Sequence, residues 1–168
     1  MVCAIGDADK NIIDRISIPT GTPEQSVPAM IDYFKKYDIS ALGIGTFGPA
    51  DINPNSPTYG SIMRSPKKDW EGFSLYKAFT DALGCLVVVD TDVNAAAWGE
   101  YLYGALKGLN SGMYLTVGTG IGGGIISDGR LIHGMEHPET GHILIPRRTG
   151  DDIPCTCRFH QSCVEGLA

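Results

Sequence analysis

Apolar positions along the chain alternate between strand-like and helix-like spacing. Short apolar or alternating runs at 2–6, 11–18, 41–45 and 85–89 have the length and composition of strands. The first two are joined by the turn-rich stretch 7–11, and 19–23, with a proline at each end, then breaks the pattern. Val27, Met30, Ile31 and Phe34 recur at helical spacing, predicting a helix over about 24–37. Further helices are predicted over 74–83 and about 93–106, the latter carrying Ala95, Ala96 and Ala97 with their high helix propensity. Between them, 46–72 is rich in Pro, Gly, Asn and Ser and reads as a long loop, a kind that often serves a site. Two apolar runs flank a glycine-rich turn at 118–124, and 127–130 is a hairpin turn of the Asp-Gly kind. Beyond it, 133–141 is irregular, 143–145 reads as a short strand, 155–163 as a loop, and a helix opens near Val164. Strands alternate with helices, so the class is α/β, with a mixed sheet expected. The polar connector 108–112 is the expected seam between domains.

Composition narrows the function. The 168 residues fit one domain, or one plus part of another; 43% are hydrophobic and 19% charged. A net charge of −6 argues against nucleic acid, whose phosphates need a basic surface. No apolar run has the length of a membrane span, and no signal peptide is visible, so a cytoplasmic location is expected. Five cysteines, an odd number, argue against a disulfide framework. Three of them, Cys155, Cys157 and Cys163, cluster with His160 and point instead to a metal.

Four groups of residues could carry chemistry. Gly118, Thr119 and Gly120 stand between apolar runs, where glycines let backbone amides close on phosphate oxygens. A plain tight hairpin would have the same pattern. Asp92 lies between a buried strand and a helix, where it could accept a proton from a substrate hydroxyl or simply cap the helix. Asp90 would share its face, and could flank a magnesium ion, if the strand persists through residue 92. Asn94 could bond a sugar hydroxyl or satisfy the first helical turn. Glu139 and His142 could grip vicinal hydroxyls. Finally, Cys157, His160 and Cys163 stand at i, i+3 and i+6, which lets one loop wrap a zinc ion. His142 is a natural fourth ligand and Cys155 its rival; buried cysteines without metal are the alternative. If one ring nitrogen of His142 bound zinc, the other could donate to a substrate hydroxyl.

Taken together, 90–100, 115–124, 137–142 and 157–165 resemble the ROK family of bacterial sugar kinases and repressors, most closely its fructokinase branch. The resemblance implies an actin-like, ribonuclease-H-like kinase fold, with 1–110 in the first lobe and 111–168 opening the second. It implies ATP-dependent phosphorylation of a hexose, fructose giving fructose 6-phosphate, in a homodimer using ATP, Mg2+ and Zn2+. By that likeness Asp92 is the catalytic base. Gly118, Thr119 and Gly120 hold ATP phosphate, and Asn94, Glu139, His142 and Glu165 bind the sugar. His142, Cys157, His160 and Cys163 hold zinc. Thr91 and the Cys157-x-x-His160-x-x-Cys163 tail are of the fructokinase type. The family's opening Gly-Gly-Thr-Lys-like phosphate motif is not found, and the second lobe is expected to continue past residue 168. A piece of this extent is expected not to turn over ATP alone. A sugar-sensing regulator, or a kinase for glucose, mannose or an N-acetylhexosamine, are the alternatives the resemblance leaves open.

Overall fold

A computed structural model describes residues 1–65, 67–118, 120–134 and 138–167, with the backbone alone at Leu167. In chain order the strands are β1 (Val2–Gly6), β2 (Ile12–Ser17), β3 (Ala41–Thr46), β4 (Leu86–Thr91), β5 (Gly112–Val117), β6 (Ile121–Ser127) and β7 (Arg130–Leu131). The helices are α1 (Pro23–Phe34), α2 (Leu75–Leu83) and α3 (Asp92–Tyr103). Among the described residues the strands form three small sheets, β1-β2, β3-β4 and β5-β6-β7, in place of the single mixed sheet expected.

By packing, the chain divides into two compact units: Met1–Ile44 with Gly48–Val89, and Gly45–Phe47 with Asp90–Ala168. The division falls at the end of β4, because α3 packs on β5 and β6. The connector 108–112 therefore runs inside the second unit.

In the first unit, α1 and α2 pack together through Phe34 and Phe79, whose rings meet edge to face at 6.4 Å. Pro23 opens α1 at its first position, where a missing N–H costs nothing. Ser74 caps α2 by accepting from the Lys77 N–H at 3.2 Å, and Gly84 ends it in the left-handed conformation at φ 65°. The long segment 46–72 is not a free loop. Ala50, Ile52, Ile62 and Trp70 are all buried, and the Trp70 indole donates to the Gly21 carbonyl at 3.0 Å. From Gly48 onward it packs into the core of this unit.

In the second unit, β5, β6 and β7 are antiparallel, with Val117 opposite Ile121 and Ser127 opposite Arg130. The Asp128-Gly129 turn has φ of 50° and 72°, as a two-residue Asp-Gly hairpin requires. The glycines of β6 serve a different purpose. None of Gly118, Gly122, Gly123 or Gly124 has positive φ. A side chain at Gly122 would meet Val93 Cγ1 at 3.1 Å. One at Gly124 would collide with the Val93 carbonyl and stand 2.8 Å from Ala97 Cβ. The bare strand lets the first two turns of α3 lie against the sheet.

Two element expectations fail beyond the hairpins. Residues 143–145 form no strand; only a bridge between Leu144 and Cys163 is present. Near Val164 the chain makes a single 3-10 turn, Glu165–Leu167, and a similar turn covers Thr140–His142. Pairing with the cysteine loop and short tight turns hold the backbone of this region.

Candidate functional site

The second unit contains every described candidate residue. Strand β4 ends at Thr91, and Thr91, not Asp92, caps α3: its hydroxyl accepts from the Asn94 N–H at 3.2 Å. Asp92 is the first helical residue. Its carboxylate is exposed and accepts from its neighbour Val93 N–H at 2.9 Å. The cap role that competed with a chemical one is therefore filled by another residue. Gly45 lets the start of α3 lie close, since a side chain on it would stand 3.0 Å from Ala95 Cβ.

Asp90 and Asp92 do not form a pair. The strand stops before Asp92, so the condition for a shared face is not met. Both Asp90 oxygens are also taken. One accepts from the Thr91 N–H at 2.7 Å and from the Asn94 side-chain amide at 2.8 Å. The other lies 2.7 Å from His133 Nε2. A magnesium ion at Asp90 would have to displace these partners. Asn94 is fully buried, so its amide holds Asp90 instead of facing solvent. Its Oδ1 has no hydrogen-bond partner among the described residues. Sequence reasoning missed His133. It sits just beyond β7, and only pairing with a residue 43 positions earlier distinguishes it.

The glycine turn joins β5 to β6 as a three-residue connection. Its Gly118 N–H donates to the Gly120 carbonyl at 2.9 Å, and both glycines are exposed. Thr119 lies outside the described residues, as does His137.

Glu165 ties this turn to the cysteine loop. Its Oε2 accepts from the Ile121 N–H at 2.9 Å, and a side chain at Gly120 would stand 2.8 Å from the same oxygen. Gly141 is equally confined, because a Cβ there would collide with the Ile121 carbonyl. Thr140, buried, donates to the Gly123 carbonyl at 3.2 Å. Glu139, His142 and Glu165 are thus brought to the β6 end of the glycine turn by hydrogen bonds and by the absence of side chains. Glu139 itself is exposed, at the start of the 3-10 turn that carries His142.

His142, Cys157, His160 and Cys163 form one cluster, with one ligand atom from each and all four within 4.8 Å of one another. Cys157 Sγ is 3.7 Å from His142 Nδ1 and 3.5 Å from His160 Nδ1, and Cys163 Sγ is 4.0 Å from His142 Nδ1. Zinc–sulfur and zinc–nitrogen bonds of about 2.3 and 2.05 Å at tetrahedral angles would separate N and S by about 3.6 Å. The four donors are therefore spaced to hold such an ion. Backbone amides complete the surroundings of the sulfurs: Phe159 N–H donates to Cys157 and Gly166 N–H to Cys163, at 3.4 and 3.3 Å. His142 turns Nδ1 to the sulfurs, which leaves Nε2 for another partner. Cys155, the rival, is outside the four, with its sulfur 4.0 Å from Cys163. The Cys163 backbone holds the Cys155 thiol below its ordinary pKa, while burial pushes Cys163 up.

The ROK family model matches residues 1–168. The chain belongs to the ROK family. It is 46% identical over 167 residues to a protein of Bacillus subtilis (strain 168), covering 99% of this chain and 56% of that relative. It is 41% identical to the fructokinase of Pediococcus pentosaceus, covering 99% and 58%. Among solved structures it is similar to a ROK family glucokinase from Streptomyces griseus in complex with glucose and AMPPNP. That match has a TM-score of 0.71 and 31% identity, over 96% of this chain and 51% of that one. The chain thus has the α/β, actin-like fold of the ROK sugar kinases and spans somewhat over half the length of the curated relatives it matches.

Proposed function

We propose that the whole protein transfers the terminal phosphate of ATP to a hexose, with fructose the acceptor and fructose 6-phosphate the product. The observation that carries this reading is the Glu165–Ile121 hydrogen bond, which joins the glycine turn to the cysteine loop, with the His142 turn held to the same strand by Thr140. Phosphate-facing and sugar-facing elements are thereby fixed to each other. The likeness to the Pediococcus fructokinase across nearly the whole chain supports the reaction and the sugar.

In this reading Asp92 accepts the proton of the sugar's primary hydroxyl. Its exposed place at the start of a helix suits a reaction in which positioning and late proton loss dominate. Glu139, His142 and Glu165 orient the ring hydroxyls. Asn94, read from sequence as a sugar ligand, we place behind the site, where it fixes Asp90. Gly118, Thr119 and Gly120 hold ATP phosphate through backbone amides, and Mg2+ accompanies the nucleotide. Zinc held by His142, Cys157, His160 and Cys163 would be structural, since four protein donors leave no open position. Its contribution is to fix His142 with Nε2 directed away from the sulfurs. We take the whole protein to be a cytoplasmic homodimer, as the family resemblance implies.

The glucose-bound Streptomyces structure makes glucose the main rival sugar. The regulator alternative is weaker, because the curated relatives reported above include a named sugar kinase. The test is a sugar panel: the full-length protein with ATP and Mg2+ against fructose, glucose, mannose and N-acetylhexosamines. The expected result is the highest kcat/KM for fructose. A preference for another hexose would overturn the choice of sugar, and no transfer to any hexose would overturn the reaction.

A further inference from the structure

Four donors satisfy a tetrahedral ion, yet a fifth, Cys155, stands beside them. Its sulfur is 4.0 Å from that of Cys163, and it rests on the bare Cα of Gly166, where any side chain would collide with it. The two thiols differ in access. Cys163 is fully buried, whereas Cys155 is half exposed. Of these two, an oxidant in solution reaches Cys155 first, and Cys163, 4.0 Å away, is placed to resolve the product. A partly exposed thiol next to a second one is the arrangement in which oxidation ends in a disulfide.

We propose that Cys155 and Cys163 form a peroxide-sensitive thiol pair whose oxidation dismantles the metal cluster. The Cys155 sulfur attacks a hydroperoxide, breaking its O–O bond and becoming a sulfenic acid as water or an alcohol leaves. The Cys163 sulfur then attacks the Cys155 sulfur, the S–S bond forms, and the hydroxyl departs as water. Two electrons pass from the sulfurs to the peroxide; with hydrogen peroxide, two thiols give one disulfide and two waters. Cys163 then no longer serves as a metal ligand. Cys163 is connected to the glycine turn, because Gly166 N–H is bonded to Cys163 and the intervening Glu165 holds the Ile121 N–H. The consequences for metal and sugar rest on the function proposed above; the disulfide itself does not.

The experiment treats full-length protein with hydrogen peroxide, followed by non-reducing tryptic mass spectrometry and a chromogenic assay of released zinc. Trypsin cuts after Arg148 and Arg158, which puts Cys155 and Cys157 on one peptide and Cys163 on the next. The expected product is that peptide pair lighter by two hydrogens, with fragmentation at Thr156 placing the link on Cys155. Cys155→Ser should keep its zinc and release it at least about tenfold more slowly under peroxide. A link mapped to Cys157, or no linked pair, overturns the inference, as does unchanged zinc release in the variant. Fragmentation of the wild-type product decides the matter even if the variant misfolds. Protein that carries no zinc before treatment would refute the metal reading alone, and the mapped link would still decide this one.

Discussion

Two residues apart, Asp90 and Asp92 have opposite surroundings, and that difference organises the site. Asp90 is held by Thr91, Asn94 and His133, while Asp92 is exposed and accepts from the amide of its neighbour Val93. The first is a fixed support and the second a group left available. Asn94→Ala should therefore cost stability without removing a surface contact. Losing its bond to Asp90 is partly offset by removing the unpartnered Oδ1, so the net loss should be about 1–2 kcal/mol in urea unfolding. A variant as stable as wild type would show that the amide does not support Asp90. At this scale the sequence was informative about residue types and less so about partners. Spacing and resemblance proposed Asp92, Glu165 and four candidate metal donors, and the four donors do lie together. The cap could not be named, because Thr91 and Asp92 are both good capping residues and only the endpoint of β4 decides between them. Nor could His133, whose partner is distant in the chain.

The elements show why glycines crowd into β6. A helix can lie on a strand this closely only if the strand lacks side chains, and α3 does so at Gly122 and Gly124. Gly124→Ala should cost roughly 3 kcal/mol, since the colliding atom is the Val93 carbonyl oxygen and backbone must move. Gly99→Ala provides the contrast within the same helix. Nothing lies within 4 Å of its added carbon, so it should gain about 0.5–1 kcal/mol from helix propensity. Thermal or chemical unfolding of both variants checks the pair; equal effects would refute the close-approach account. Most strands and all three helices were legible, because their periodicity is sustained over several residues. The region after β7 was not. Its backbone is held by a bridge from Leu144 to Cys163 and by glycine contacts, none of which has a period. The glycine turn was read correctly as a hairpin connection, but the reason for its neighbouring glycines is close packing and not positive φ.

For the whole molecule, the account separates holding the sugar from transferring phosphate. In the proposed function the loop of His142, Cys157, His160 and Cys163 serves, with Glu165, the first task and Asp92 the second. Removing zinc from the full-length protein with a chelator should lower Tm by at least about 5 °C and weaken sugar binding, both restored by zinc alone. Sugar affinity unaffected by complete metal loss would disconnect His142 from the ion. The family and the α/β fold were legible from sequence because the motifs at 90–100, 115–124 and 157–165 occur together. The division into packing units was not, since α3 follows β4 directly while belonging to the second unit. The most direct measurement is on Asp92→Asn in the full-length protein, with kcat for ATP-dependent fructose phosphorylation and fructose Kd determined side by side. The account predicts a fall in kcat of about a thousandfold or more with Kd nearly unchanged. Wild-type kcat in that variant would contradict it.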